Sequence, residues 1–392
     1  MIKHFGRDMI LLMSSLLVWA LGEGLWYNLR QLYLTQMGAS PMQVGIAIAL
    51  ETITRAVLML PAGYAVDRFG SRQVLIGAWV FGVLGIGAMI AAPNWQWYIA
   101  ALMFYGLSAF VIPAISAYAL QAAVLHNPHF RSEQVLPTLF AAYPAGLILS
   151  PALGGWLAGQ YGIMACFWAA LGLSVLSTGI LLATTHFDPH DRVTRFDLRP
   201  LLSNRAFMLR IGFLSSAAFS LYVGFQLVPN YLQEVRGLPI EQIGLMFSIF
   251  SVGTMLANLA GGQMRLRWSY PLTMLVVLAA QIVIWQSGSR PVLMAAMGLM
   301  GGVYATRSLA SSAIAQVVKA GERGMAFSFY EVGNALAMSI ASMVAGRLYE
   351  GTPLHDGPFM ASIVLIPLIV GGWFVLRLWG DEAASDQLSA IS

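Results

Sequence analysis

The stretch GYAVDRFGSRQVLIGAWVFGVLGIGAMIAA, residues 63–92, decides what kind of protein to expect. It opens with Asp67, Arg68 and Arg72 between glycines, and from Val74 to Ala92 it carries no charged side chain at all. A helix needs about 20 apolar residues, each rising 1.5 Å, to cross a bilayer's hydrocarbon. A charged turn feeding such a run is a loop entering a membrane.

Working outward, runs of the same kind fall near 9–36, 42–66, 97–124, 136–158 and 163–185. A second group follows near 207–233, 240–263, 270–288, 291–318, 325–346 and 357–380. With 74–92 this makes an all-α membrane protein of twelve transmembrane helices, arranged as two pseudo-symmetric six-helix bundles. The bundles are expected over 1–185 and 207–380, joined by a cytoplasmic linker at 186–206 and followed by a cytoplasmic tail at 381–392. Within the linker, residues 194–207 are spaced for a short helix on the membrane surface. Composition agrees: 58% of residues are apolar and 10% charged, against about 25% charged in soluble domains. A mean hydropathy of +0.72 leaves too little polar surface to clothe one water-soluble core.

The first span, behind Lys3 and Arg7, resembles a secretory leader, but it continues through Glu23 to Met37 without a small-x-small cleavage site and is read as retained. The single cysteine, Cys166, excludes an internal disulfide framework. The two lysines, Lys3 and Lys319, lie in no G-x-x-x-x-G-K-[ST] loop, so that kind of nucleotide site is absent. No paired-carboxylate or nucleophile–base arrangement marks an enzyme. His126 and His129 have metal-pair spacing but sit in a cytoplasmic loop without a thiol, and no metal or cofactor is expected.

A net charge of +4 invites a nucleic-acid reading, which the placement of the charges excludes. Lys3, Arg7, Arg68, Arg72, Arg131, Arg192, Arg195, Arg199, Arg205, Arg210, Arg265, Arg267, Lys319, Arg323 and Arg377 fall on one side of the spans, and Arg236, Arg290 and Arg347 on the other. That asymmetry puts both termini in the cytoplasm of a multi-pass cell-membrane protein.

A shift of 199 residues superposes Gly38 on Gly237, Gln43 on Gln242, Gly45 on Gly244, Gly63 on Gly262 and Arg68 on Arg267. It also superposes Tyr105 on Tyr304 and Ala114-Ile115 on Ala313-Ile314. Duplicated halves of this kind place a solute between them near the midplane.

The loop Gly63-x-x-x-Asp67-Arg68-x-Gly70-x-Arg72 resembles the G-x-x-x-D-[RK]-x-G-[RK]-[RK] motif joining helices 2 and 3 of the major facilitator superfamily, with Ser71 at one basic position. Gly146-x-x-x-Ser150-Pro151-x-x-Gly154-Gly155 is similar to the g-x-x-x-G-P-x-x-G-G motif of its proton-coupled exporters. The resemblance implies alternating access. It also implies a latch of Asp67 onto span 11, beginning near Gly324, with Arg68 and Arg72 gripping headgroups or carboxylates. Span 4 departs from those exporters: the arginine four residues before Gly106 is replaced by Leu102.

Charges at membrane depth are costly unless paired or wetted, so each is a functional candidate. Glu23, Arg30, Glu51, Arg55, Arg307 and Glu331 qualify. Trp19, Glu23, Tyr27 and Arg30 follow helical spacing on span 1, with Trp26 beside them. Glu23 is a candidate proton carrier or cation site among aromatic rings, and a structural Glu23–Arg30 pair is the plainer reading. Glu51 and Arg55, four apart, form an intramembrane pair, or Arg55 reaches Glu23. Arg307 and Glu331 complete the proton-coupling set. Tyr222, Gln226, Tyr304 and Asn334 are further substrate contacts.

The function expected is proton-coupled antiport, exporting a small amphipathic or cationic solute, by a monomer. Uptake by symport, or lipid or anion transport by the same fold, is the nearest alternative. A membrane receptor or assembly factor that transports nothing is the alternative of another class.

Overall fold

The computed structural model describes residues 6–126, 142–186, 203–318 and 323–376. The described chain is helical throughout: α1 Arg7–Trp26, α2 Arg30–Gln36, α3 Pro41–Phe69, α4 Ser71–Ala91, α5 Trp95–Tyr105, α6 Val111–His126, α7 Ala142–Tyr161 and α8 Ile163–Leu182. Then follow α9 Arg205–Phe225, α10 Val228–Glu234, α11 Ile240–Gln263, α12 Leu266–Gln286, α13 Arg290–Met300, α14 Gly302–Ala315, α15 Arg323–Gly351 and α16 Gly357–Val375. The surface helix expected at 194–207 lies largely outside the described residues.

Among the described residues, ten helical segments are long and apolar enough to cross a membrane. The pairs α1–α2, α5–α6, α9–α10 and α13–α14 each count as one. Two further helices have the length, α7 with 20 residues and α15 with 29, but glycine, serine and proline lower the hydropathy of α7, and glycine, serine, Glu331, Asn334 and Arg347 that of α15. Large apolar side chains face outward along the spans, Leu368 being 67% exposed, as a lipid solvent requires.

Span 1 is not one continuous helix. After Trp26 the chain tightens into a 3₁₀ turn at Tyr27–Leu29 before α2 begins. The single face expected for Trp19, Glu23, Tyr27 and Arg30 is therefore broken between Glu23 and Arg30. The second half breaks at the matching place, where α9 ends at Phe225 and α10 starts at Val228.

The repeat spacing of 199 holds through the first two spans of each half. Gly38 and Gly237 both adopt positive φ, 87° and 62°, and α3 and α11 begin at Pro41 and Ile240. Further on, Ser71 matches Leu266, Trp95 matches Arg290 and Gly106 matches Gly301 as element boundaries, a spacing of 195. The pairs Arg68–Arg267, Tyr105–Tyr304 and Ala114-Ile115 with Ala313-Ile314 are thus not structural equivalents. Arg68 closes α3, whereas Arg267 lies in the first turn of α12. The difference of four residues is about one helical turn, shed where α11 stops short of α3's length.

The chain divides into two compact units, Met1–Arg195 with Pro229–Ser251, and Phe196–Val228 with Val252–Ser392. In the first unit α1 packs against α7 and α8. A Cβ on Gly146 would lie 2.7 Å from Ala20 Cβ, and one on Gly154 only 2.1 Å from the Leu25 carbonyl oxygen. Ser150, the serine in a glycine position of the span-5 motif, is accommodated by a bare helix opposite. Its Oγ sits 1.8 Å from where Gly24 would carry a Cβ, and it donates to the Ala20 carbonyl at 3.4 Å. Gly155 meets Gly244 of α11 just as closely, and Ser248 Oγ accepts from the Ala152 amide at 3.0 Å. Small residues here let backbones touch, which is how helices associate when lipid removes the hydrophobic incentive. Pro151 lies inside α7 without ending it.

In the second unit α9 packs against α15 and α16, while α12 packs against α13, α14 and α16. Gly253 abuts the Gly298 backbone, and Tyr270 stacks on Trp373 at 4.6 Å.

Candidate functional site

The first unit gathers four of the six intramembrane charges. Arg30 Nε lies 3.1 Å from Glu51 Oε2, Arg55 Nε 3.4 Å from Glu51 Oε1, and Arg55 Nη2 3.4 Å from Glu23 Oε1. The pairing therefore crosses between helices: Arg30 belongs to Glu51, and Glu23 to Arg55. The Glu23–Arg30 pair that adjacency on span 1 favoured is replaced by these two. The Glu51–Arg55 pair is present, with Arg55 shared between both acids. Glu23, Arg30 and Glu51 are buried, whereas the Arg55 side chain is 30% exposed. Burying a charge costs several kcal/mol unless a partner compensates; here two acids and two bases cancel.

Aromatic residues wall the cluster. The Arg30 guanidinium lies 3.7 Å over the Tyr27 ring and also donates to the Tyr27 carbonyl, an arrangement the 3₁₀ turn makes possible. Arg55 is 5.2 Å from the Tyr105 centroid and 5.7 Å from that of Tyr27. Trp26 is wholly buried, edge-on to Tyr105 at 5.3 Å, and Trp19 packs on Trp79 at 4.4 Å. Trp19 is thus core packing between α1 and α4.

Tyr143, at the start of α7, donates to Glu23 Oε2 at 2.6 Å. Nothing in the sequence pattern marks it, because its partner lies 120 residues away and tyrosine is an ordinary residue near a helix end. Tyr105 was noted only for the repeat. Span 4 supplies no arginine at Leu102, which is buried, but one from span 2 fills the space nearby: Arg55 Cγ is 3.7 Å from where Gly106 would carry a Cβ.

Deleting a hydrogen bond to a charged group removes about 1.5–3 kcal/mol. Tyr143→Phe is accordingly expected to lower stability by that amount, ~1.5–3 kcal/mol, with the protein still folded. A thermal-stability assay of the purified protein measures it, and an unchanged melting temperature would mean that the bond contributes nothing.

In the second unit Arg307 and Glu331 form a two-pronged pair, Nε to Oε1 at 2.9 Å and Nη2 to Oε2 at 2.5 Å. Arg307 is 49% exposed and Glu331 22%. The fork geometry is the strong form of such a contact. Tyr222 is buried and meets Phe225 edge-on at 6.1 Å, and Phe225 meets Tyr304 at the same distance. Gln226 is buried, and buried Asn334 donates to Met338 Sδ at 3.6 Å.

At the motif loop, Gly70 holds φ at 86°, the positive-φ turn that lets α3 and α4 be joined by this one residue. Arg68 donates to the Tyr64 hydroxyl at 3.1 Å. Arg72 donates to the Thr184 and Leu182 carbonyls at 3.0 and 2.9 Å, and Arg7 to the Ala183 carbonyl at 3.4 Å. Both cations thus cap the negative end of α8; Arg72's partners are backbone carbonyls and the Thr184 hydroxyl, where headgroups or carboxylates were expected. Asp8, unremarked in the sequence, is buried and accepts from the Thr185 amide at 2.9 Å. The surroundings of Gly63, Asp67 and Gly324 lie outside the described residues, as do those of His126 and the whole of His129. Arg210, counted above among loop charges, sits within α9, is buried, and donates to the Ala313 carbonyl at 2.7 Å.

The described chain is thus helical and multi-pass, with charges paired at membrane depth. The Major Facilitator Superfamily profile matches residues 9–263 and 227–390, and the chain belongs to that family. It is 27% identical over 173 residues to Multidrug resistance protein 2 of Bacillus subtilis, covering 43% of this chain and 41% of that protein. It is 28% identical over 140 residues to the multi-drug resistance efflux pump PmrA of Streptococcus pneumoniae, 35% and 34% of the two chains. To Multidrug resistance protein MdtH of Aeromonas hydrophila it is 21% identical over 344 residues, 85% of each. The matches to the two Bacillus subtilis multidrug resistance proteins 1 and 2 span only 40% and 41% of their length. Among solved structures, a mutant of the nucleoside transporter NupG superposes with a TM-score of 0.77 at 13% identity, covering 96% of this chain and all of that one. A bacterial homologue of the human lysosomal transporter Spinster gives 0.72 at 12% identity, covering 95% and 98%. At such identities the likeness is one of fold.

Proposed function

We propose that this protein is a transporter that exports small amphipathic or cationic compounds in exchange for protons. The observation that carries the reading is Glu23: a buried carboxylate held by Arg55 at 3.4 Å and Tyr143 at 2.6 Å among aromatic rings. A carboxyl group so placed can hold either a proton or an organic cation, and exclusive occupancy by one or the other is what antiport requires. Multidrug efflux relatives support the direction. In this reading the spans form two six-helix bundles of a monomer, both termini are cytoplasmic, and Asp67 latches the outward-facing state.

The test is flux in proteoliposomes. An inward-directed proton gradient should drive ethidium or tetraphenylphosphonium out of the cytoplasmic compartment, without ATP and sensitive to a protonophore. Accumulation that needs ATP, or no flux of any such cation, overturns the reading. A second reading, transport of an anionic solute, is favoured by the half-exposed Arg307, whose charge a carboxylate or phosphate could share with Glu331.

A further inference from the structure

We infer that the Glu23 site is an organic-cation site already filled from within, and that Arg55 is a tethered occupant which a cationic solute displaces. This rests on the reading of Glu23 as part of the transport site. The two arginines of the cluster are held differently. Arg30 is buried, 3.1 Å from Glu51, 3.7 Å over Tyr27 and bonded to the Tyr27 carbonyl. Arg55 has longer contacts, 3.4 Å to each acid, ring centroids beyond 5 Å, and a side chain 30% exposed. One carboxylate with two tyrosine faces is the chemistry that recognises an organic cation. In this structure a guanidinium stands where that cation would be.

Withdrawal of Arg55 is also electrically simple. Glu51 keeps Arg30, so only Glu23 loses its counter-ion, and an incoming cation restores neutrality. Glu23 stays aimed, because Tyr143 holds its other oxygen from a helix that Gly146 and Gly154 lock against α1. The stem of Arg55 passes Gly106, which adds no side chain of its own beside it; the Thr54 methyl is the nearest neighbour of that point. Glu23 is buried and Arg55 only 30% exposed, so breaking this pair is costly unless another cation takes Arg55's place, which the incoming solute does. In the second unit the residue matching Arg55 is Thr254, whose hydroxyl donates to the carbonyl of Gly301, the match of Gly106. The tethered cation is therefore a property of the first unit and not of the repeat.

Two measurements on detergent-purified full-length protein test this, with tetraphenylphosphonium as the probe. Arg55→Ala should bind it about tenfold tighter than wild type, since a competing charge is gone, and the gain should vanish when Glu23→Gln is added. The second measurement needs no variant: phenylglyoxal labelling of wild-type Arg55, read by mass spectrometry, should rise when the probe saturates the protein, while Arg30 is unchanged. Equal or weaker binding by Arg55→Ala, or Arg55 labelling that falls or stays constant, overturns the tethered-occupant inference while leaving cation transport standing. If Arg55→Ala does not fold, the labelling experiment alone decides. Failure of wild type and Arg55→Ala alike to bind the probe overturns both the inference and the export reading.

Discussion

Glu23→Gln is expected to lower gradient-driven transport by about 100-fold or more, the scale of losing an essential proton-transfer group, while downhill exchange of substrate persists. Glutamine keeps the volume and still accepts from Tyr143, so the wall of the site stays in place. What it loses is the ability to alternate between charged and neutral forms. Arg55 then has Glu51 as its remaining acidic partner, which Arg30 already neutralises at 3.1 Å, leaving one excess positive charge in the cluster. That excess should also weaken binding of cationic probes more than of neutral amphipathic ones. The comparison is made in proteoliposomes, with and without an imposed pH gradient, on protein of verified monodispersity. Gradient-driven flux equal to wild type would make Glu23 a purely structural partner of Arg55 and send the search for coupling to Glu331.

Gly154→Val is expected to abolish most folded protein. The first carbon of any side chain there would sit 2.1 Å from the Leu25 carbonyl oxygen and 2.7 Å from Leu25 Cα. These are backbone atoms of α1, and they cannot rotate away as a side chain would. Overpacking of this kind costs about 1–3 kcal/mol where neighbours yield and more where they do not. Because α1 also carries Glu23, forcing it from α7 would separate the carboxylate from Tyr143. Gly172→Val is the control, since nothing lies within 4 Å of the corresponding point on α8. Fluorescence-detected size exclusion of both variants reads the outcome; equal monodisperse yields would mean α1 and α7 are less tightly apposed than described.

Much of the helical framework was legible because lipid imposes a blunt rule: charges stay out of long runs unless they have a purpose. The rule located the spans and singled out Glu23, Arg30, Glu51, Arg55, Arg307 and Glu331 without any knowledge of their neighbours. It could not say who pairs with whom. Arg30 turned from Glu23 to Glu51 because a 3₁₀ turn at Tyr27–Leu29 resets the helical phase, and no periodicity announces such a turn. Tyr143 was invisible for a different reason, being significant only through a partner far along the chain. Arg210 misled because an arginine near the start of a span looks the same whether it faces headgroups or a neighbouring helix's carbonyl. Residue identities point to a single repeat spacing, whereas the one-turn loss after the second span shows only in where helices begin and end.

The two weakly apolar helices carry a consequence for biosynthesis. A segment enters the bilayer from the translocon according to its own transfer free energy, and glycine, serine and proline contribute little to it. Over their described residues, neither α7 nor α15 reaches the hydropathy of the other spans. Yet each packs mainly on a helix that leaves the ribosome before it, α7 on α1 and α15 on α9. The earlier helix offers a surface that lipid cannot match, with room for backbone against backbone, and so acts as the template on which the later one inserts. Membrane assembly of this chain is therefore ordered by its sequence: nascent chains deprived of residues 7–26 should leave 142–161 stranded outside the bilayer, although that segment itself is intact.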